Sequence, residues 1–220
     1  MSRWASDPDA AADALIARSL DALDLGGRVL LANPSSGLPL LLQKRNIPFA
    51  LWERRLREGS SGATPWPPDG PYDVALLRLA KAKDEQEMAV HASLSVLVPE
   101  GQLILYGGND EGIRSASAAL GELCGPVDTV AARGHGRIAA VRRPVEVKRL
   151  RAELTQWRQT ATVEIAGTSC RWVGYPGLFA GGRIDEGTAL LLGALPSLPE
   201  GARVLDFGCG SGVIAAAISS

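Results

Sequence analysis

Short apolar runs with strand character alternate with segments of helical periodicity along most of this chain. Residues 28–33 form a buried-type strand and are followed by a helical segment at 38–45, and residues 72–77 are followed by a helix at 84–97. Strands that alternate with helices become parallel neighbours in one sheet, with the helices packed on its faces. The pattern therefore predicts an α/β fold around a mainly parallel sheet.

Further elements complete this predicted sheet up to residue 143. A helix is expected at 9–23, a second strand at 49–53, and a buried strand at 102–107 after a turn at 99–101. A helix at 112–124 leads to two strands around Gly134, His135 and Gly136, a sequence typical of a hairpin. The sheet is thus expected to end in an antiparallel hairpin.

The rest of the chain begins the same order of elements again. A charged, partly helical segment at 144–159 precedes a hairpin at 162–173, a helix at 186–195 and a short strand at 203–205. Four residues at alternate positions follow that strand and lead into an apolar helix at 213–218: Asp206, Gly208, Gly210 and Gly212. Glycine permits a tight turn and leaves no side chain against a ligand.

Asp206 and the amides of the following helix are suited to a polar ligand, because the first amides of a helix lack intrahelical partners. Two alternatives stay open at this point. One is a glycine turn without a ligand, and the other is a dinucleotide site in the frame of Gly210, Gly212 and Ala215.

The spacing D-x-G-x-G-x-G resembles the S-adenosylmethionine loop of class I methyltransferases. After the first strand of the chain the corresponding turn reads Asn33-Pro34-Ser35-Ser36-Gly37, which lacks this spacing. The resemblance implies a Rossmann-like class I methyltransferase fold, with a degenerate amino-terminal copy and the start of a second copy.

Several segments resemble the small-subunit ribosomal RNA guanine-N2 methyltransferases of the RsmC type and their large-subunit relatives of the RlmG type, which are tandem duplications. Residues 176–192 are similar to P-G-x-F-S…L-D-x-G-[ST]-x-L-L-L, and residues 72–81 to Y-D-x-x-x-x-x-L-P-K, with Ala80 in place of proline. Residues 99–107 and 109–115 resemble P-G-G-x-L-x-x-x-G and N-K-x-G-I-K-S.

This resemblance implies an enzyme that transfers methyl from S-adenosylmethionine to guanine in ribosomal RNA or the small ribosomal subunit. The implied cofactor-binding residues are Asp206, Gly208, Gly210, Gly212, Asp185 and Thr188, although Asp185 is equally compatible with capping a helix. The expected domains are a degenerate methyltransferase-like domain at 1–145, a linker with a hairpin at 146–177, and the beginning of a catalytic domain at 178–220.

One family element is absent from these 220 residues: the catalytic N-P-P-[FY] tetrapeptide. The acidic residue expected after the second strand of the second copy, where it would bind ribose, is also missing. We therefore expect the second domain to be incomplete at Ser220, with no catalytic residue in hand and the chain alone inactive. The alternatives are a non-catalytic RNA-binding or scaffold module, and a relative of the protein-glutamine methyltransferases.

Composition limits the other possible partners. The formal net charge is −1, so nucleic-acid binding requires a local patch. Basic residues concentrate in one segment, where a solvated helix with internal ion pairs is the alternative to an RNA-binding surface: Arg142, Arg143, Lys148, Arg149, Arg151 and Arg158. Trp157 and Trp172 are candidate base-stacking residues nearby.

The sequence contains three scattered cysteines and two histidines, Cys124, Cys170, Cys209, His91 and His135, and they form no zinc-binding pattern. We therefore expect no metal and a reducing compartment. No apolar signal core opens the chain, and no uncharged run approaches about 18 residues, so a cytoplasmic protein without a membrane span is expected.

Overall fold

The computed structural model describes residues 8–35, 37–56, 62–165, 168–178, 183–196 and 198–219. These residues fall into two compact units, Met1–Gln156 and Trp157–Ser220. We call them the first unit and the second unit and describe each by itself.

A six-stranded sheet forms the centre of the first unit. Its strands are β1 Val29–Ala32, β2 Phe49–Trp52, β3 Tyr72–Arg78, β4 Leu97–Gly108, β5 Asp128–Arg133 and β6 Gly136–Arg142. They lie in the order β2-β1-β3-β4-β6-β5. The first four are parallel, whereas β6 is antiparallel to both β4 and β5. The predicted parallel sheet with a closing hairpin is confirmed.

Helices cover both faces of this sheet: α1 Pro8–Ser19, α2 Gly37–Lys44, α3 Lys83–Val96 and α4 Ile113–Cys124. Because successive side chains of a strand point to opposite faces, neighbouring residues enter two separate cores. Leu30 packs with the α3 and α4 side chains, and Leu31 packs with those of α1 and α2. Both leucines are fully buried. Each such burial contributes about 1.5–3 kcal/mol, which explains the continuously apolar strands.

Strand β4 differs from its prediction because it contains the expected turn at 99–101. Tyr72 pairs with Leu97 and Val74 with Gln102, so the register advances by two residues on β3 and by five on β4. Glu100 accommodates the excess in a left-handed conformation, with φ 63°. The turn is therefore a bulge within a strand that begins earlier than expected.

The charged segment at 144–159 was expected to be partly helical. Its described residues contain a single short 3-10 helix, Leu154–Trp157, as their helical element. Val147 is buried against the α3 and α4 side of the sheet, with Leu150 partly buried beside it. Between them Arg149 has a left-handed backbone, with φ 58°, which a continuous right-handed helix does not accommodate.

The second unit consists of a hairpin and two helices: β7 Gln159–Ile165, β8 Thr168–Gly174, α5 Glu186–Ala194 and α6 Val213–Ser219. Val163, Ile165 and Val213 form its small core. The strand predicted at 203–205 is wrong, since these residues have no strand pairing. A strand requires a neighbour for its backbone groups, and β7 and β8 pair only with each other in the described part of this unit.

Candidate functional site

The glycine turn of the second unit has the backbone conformation that its composition predicts. Gly208, Gly210 and Gly212 have φ values of 83°, 55° and 82°, a region that residues with a Cβ atom rarely adopt. A Cβ atom added at Gly208 or Gly212 would meet no atom within 4 Å. The glycines are therefore required by the turn itself, and its surface stays open to a ligand.

A hydrogen-bonded start of α6 follows this turn. The amide of Gly212 donates to the Cys209 carbonyl at 2.8 Å, and the Ala216 amide donates to the Gly212 carbonyl at 3.0 Å. Asp206 lies at the entry of the turn, and its Oδ2 atom is buried without a hydrogen-bond partner in the described residues. A buried carboxylate oxygen without a donor is an unusual cost. A cationic or hydroxyl-bearing ligand would satisfy it, so these residues fit the ammonium end of S-adenosylmethionine.

Asp185 and Thr188 form the amino-terminal cap of α5. Asp185 Oδ1 accepts from the amides of Gly187 and Thr188 at 3.1 and 3.2 Å, and Thr188 Oγ1 donates to Asp185 Oδ2 at 2.7 Å. These bonds, the one from the Thr188 side chain foremost, lower the pKa of Asp185. The structure thus shows the capping role left open above. Phe179 to Gly182, which belong to the same resembling segment, lie outside the described residues.

The corresponding turn of the first unit is closed by its own side chains. Asp13 of α1 accepts a short hydrogen bond from Ser35 Oγ, and its Oδ2 accepts from the Gly37 amide at 3.2 Å. Ser35 is completely buried. A helix amino terminus attracts anions, and here an internal carboxylate has that position. The amino terminus of α2 is therefore occupied by a carboxylate of the protein itself.

A buried ion pair lies where β3 and β4 end. Arg78 Nη2 is 2.7 Å from Glu111 Oε1, and the two side chains are 4% and 6% exposed. Burial opposes ionisation of Glu111, but bonds from Arg78 and the Gly108 amide outweigh it and lower the pKa of that carboxyl. Loss of one partner from such a pair costs about 3–5 kcal/mol. The pair rigidly fixes this edge of the sheet.

The predicted RNA-binding arginines are mostly engaged with the protein. Arg142 donates to the Glu100 carbonyl at 3.0 Å, Arg143 donates to the Leu94 carbonyl at 2.9 Å, and Arg151 pairs with Glu87 at 2.5 Å. Lys148 and Arg149 are exposed and have no ion pair with any described residue. Of the predicted cluster, these two and the exposed Arg158 are the most available to a polyanion.

The tryptophans of the same region do not form an exposed stacking surface. Trp157 is 3% exposed, and Trp172 packs against the small core of the second unit. The prediction that Trp157 stacks on bases is wrong, because a base could not reach the face of a buried ring. Arg158 is exposed.

Some residues at the sheet edge of the first unit had no local sequence signal. Asp13 and Ser35 are 22 positions apart, and Arg78 and Glu111 are 33 apart. Only the topology brings them together. Asn33 and Glu53 directly follow β1 and β2, so their place at strand ends was the one available signal.

Comparison with known proteins gives two family matches that divide the chain. Residues 14–138 match the family described as Methyltransferase small domain N-terminal, and residues 170–220 match the Methyltransferase small domain. Among solved structures, the 16S rRNA N2 methyltransferase RsmC of T. thermophilus, in complex with AdoMet and guanosine, superposes with a TM-score of 0.71 at 23% identity. The match covers 87% of this chain and 52% of that one.

Curated relatives carry the name ribosomal RNA small subunit methyltransferase C. The protein of Pseudomonas aeruginosa (strain LESB58) is 37% identical over 151 residues, covering 69% of this chain and 44% of the relative. That of Stutzerimonas stutzeri (strain A1501) is 33% identical over 203 residues, covering 88% and 58%. The chain spans about half the length of the curated relatives it matches.

The sheet order and the structural match define a Rossmann-like class I methyltransferase fold. Because the amino-terminal family match extends over more than half of the chain, the assignment can be made more specific. The chain belongs to the family of RsmC-like ribosomal RNA guanine-N2 methyltransferases, and the resemblance noted in the sequence is confirmed.

Two further findings concern the described residues alone. No helix among them combines the length and the apolar character needed to cross a bilayer. They also contain no group of three or more histidine, cysteine, aspartate or glutamate side chains arranged to hold a metal ion.

Proposed function

We propose that this protein acts in the S-adenosylmethionine-dependent methylation of the N2 amine of guanine in ribosomal RNA of the small subunit, in the cytoplasm. The relatives' name and the RNA named for the T. thermophilus structure support this substrate class. The observation that carries the proposal is the glycine turn with the unpaired Asp206 carboxylate oxygen.

The cofactor would be held by the second unit. We assign the ammonium end to Asp206, close backbone approach to Gly208, Gly210 and Gly212, and a supporting position to Asp185 and Thr188 at the start of α5. When bound, S-adenosylmethionine supplies an electrophilic methyl group on its sulfonium. These residues act by orienting the bound molecule, since effective alignment can lower such a barrier by about 7–11 kcal/mol.

The two copies have different proposed roles because their turns differ. In the first copy Asp13 of α1 occupies the amino terminus of α2, whereas in the second copy Asp206 Oδ2, at the glycine turn, has no hydrogen-bond partner among the described residues. We propose domains at 1–145 and 178–220, joined by a hairpin-containing linker at 146–177. In this arrangement the first domain and the start of the linker contribute RNA contacts, and the second domain contributes the cofactor site.

The RNA contact would lie in the basic segment. Lys148 and Arg149 are exposed and would bind phosphates, whereas Arg142, Arg143 and Arg151 would mainly hold the segment in place through their bonds to the protein. Phosphate contacts contribute affinity that weakens with salt. For each contact, the logarithm of the binding constant falls by about 0.7–0.9 for a tenfold rise in salt concentration.

The test uses the full translation product of the gene, small ribosomal subunits that lack the modification, and methyl-labelled S-adenosylmethionine. N2-methylguanosine is measured by mass spectrometry after digestion of the RNA. We expect transfer by the wild type and a loss of at least roughly tenfold in Asp206→Asn, since a hydrogen bond to a charged group is removed. Asp128→Asn, on the exposed edge strand β5, is the matched control and should keep full activity.

A second pair of variants tests the RNA contact in the same assay. Lys148→Gln with Arg149→Gln should raise KM for the subunit several-fold without changing kcat, and should reduce the salt dependence. Arg114→Gln with Arg133→Gln removes the same charge from other exposed positions and should change neither value. Methylation of a protein glutamine instead of RNA, or no transfer at all, would contradict the proposed function.

A further inference from the structure

The first unit has a polar cleft of about 210 Å³ at the carboxyl edge of its sheet. Its lining includes Asn33 after β1, Glu53 after β2 and Arg78 at the end of β3. Strand β1 lies between β2 and β3, so the chain changes direction across the sheet at this place. Open α/β sheets bind their ligands in the crevice at such a switch point.

Ion pairs hold the walls of this cleft. Glu85, at the start of α3, is 3.2 Å from Arg54 Nη1 and 2.9 Å from Arg55 Nη2, while Arg78 pairs with Glu111 on another side. Glu85 and Glu111 are nearly buried. The cleft is therefore preorganised, and a ligand would meet fixed groups with little further ordering.

Two polar side chains that line the cleft are suited to binding a ribose. Glu53 is 9% exposed and lines the cleft directly after the second strand, where an acidic side chain binds ribose hydroxyls in dinucleotide-binding sheets. Asn33 Oδ1 accepts from the Arg54 amide at 3.0 Å. Its Nδ2 atom is buried and has no hydrogen-bond partner in the described residues, so the lining includes an unused donor.

Cationic groups lie at the same cleft. The Arg55 side chain is 65% exposed although it pairs with Glu85, and Lys81 is exposed. A guanidinium carries five donors in a planar array that suits the recognition of a phosphate. Sugar-binding and phosphate-binding groups are therefore combined in one place.

The same structure rules out a complete nucleoside cofactor of the usual kind here. Asp13 already binds the amide at the start of α2, where a cofactor's polar end would be received. The volume is also below the roughly 300 Å³ at which pockets begin to enclose drug-sized ligands. A ribose and one phosphate fit these limits better than a cofactor does.

We propose that this cleft binds the ribose and phosphate of a ribonucleotide, with Glu53 accepting from the 2′-hydroxyl and Arg55 and Lys81 contacting the phosphate. The ribonucleotide is either a free nucleotide or one residue of an RNA strand. This site goes beyond the proposed function, which uses the glycine turn of the second unit.

The test titrates the 220-residue chain with adenosine 5′-monophosphate and with its 2′-deoxy analogue, followed by NMR of the backbone and of the Asn33 side-chain amide. We expect the ribonucleotide to bind roughly tenfold more tightly, because the deoxy analogue leaves Glu53 without one donor. Glu53→Gln should abolish this preference. Glu122→Gln, at an exposed position of α4, should keep it.

Lys81→Gln provides a second variant at an exposed position, where folding is not at risk. It should weaken both nucleotides by the same factor and leave their ratio unchanged. A short oligoadenylate that binds much more tightly than the mononucleotide would identify an RNA strand as the source, and equal affinities would identify a free nucleotide. Equal binding of ribo and deoxy forms, no binding up to about 10 mM, or a preference that survives Glu53→Gln would overturn the proposal. Methyl transfer is measured separately, so the two proposals fail independently.

Discussion

Two aspartates, each beside the turn that leads into a helix of its own unit, have opposite surroundings. Asp13 satisfies the start of α2 through Ser35 and Gly37, whereas Asp206 keeps a buried oxygen without a partner among the described residues. A bonded carboxylate stabilises the fold, and an unbonded one is an energetic cost that a ligand can offset. The difference indicates a structural role for Asp13, and it supports the binding role that we propose for Asp206.

At this scale we predict that Asp13→Ala destabilises the first unit by about 2 kcal/mol, because it removes a helix cap and leaves the buried Ser35 hydroxyl without its acceptor. Urea unfolding followed by circular dichroism measures the change in the free energy of unfolding. Asp128→Ala, which changes an exposed aspartate, should stay within about 0.5 kcal/mol of the wild type. If Asp13→Ala also changed the free energy of unfolding by no more than about 0.5 kcal/mol, the closed turn would not contribute to stability.

Among the elements, α3 fixes the course of the basic segment. His91, which is 3% exposed, accepts a hydrogen bond at Nδ1 from the Arg151 amide at 3.1 Å, and Arg151 pairs with Glu87 one turn earlier. Near the other end of the segment, Arg143 bonds to the Leu94 carbonyl. Because Nδ1 must be unprotonated to accept, this attachment depends on a neutral imidazole.

This geometry predicts a pH-dependent stability. Burial lowers the pKa of His91, the nearby Arg151 lowers it further, and Glu87 opposes them. The unfolded chain therefore binds the proton first as the pH falls. The free energy of unfolding should be at its full value above about pH 6.5 and should decrease below it, by at most about 1.4 kcal/mol per pH unit from this group.

Urea unfolding between about pH 7.5 and 5.5 measures that slope. His91→Gln should flatten it, because the titrating group is gone. His135→Gln, at the exposed turn between β5 and β6, should leave the slope as in the wild type. If both variants kept the wild-type slope, the imidazole would not be the group that holds the segment.

Sequence reasoning succeeded for elements whose apolar pattern is local. The strands at β1 and β3, the helices at α3 and α4 and the closing hairpin were all predicted close to their observed bounds. It failed where partners far apart in sequence decide the outcome. Residues 203–205 have strand composition but no neighbouring strand in the described structure, and the turn at 99–101 became a bulge because β3 continues beside it.

For the candidate site, the sequence identified the glycine turn because the conformation needed is encoded by residue type, as the φ values of Gly208, Gly210 and Gly212 show. It did not identify the closed turn of the first unit. That closure depends on Asp13 reaching Ser35 from another helix, a contact without a sequence period. It also overestimated the basic cluster, since residue type does not show which arginines bond to carbonyls.

For the whole molecule, we infer that two copies of one turn-helix arrangement have separate roles. The first has the complete described sheet and a turn sealed by its own carboxylate, and the second has the open glycine turn. Such a protein should bind S-adenosylmethionine at one site per chain, although it contains two copies of the turn.

Calorimetric titration of the full translation product with S-adenosylmethionine measures this directly. We expect one molecule bound per chain, an affinity reduced at least roughly tenfold by Asp206→Asn, and no added site in Asp13→Ala. Two molecules bound per chain, or a single site that is insensitive to Asp206→Asn, would show that the glycine turn of the second unit is not the one cofactor site.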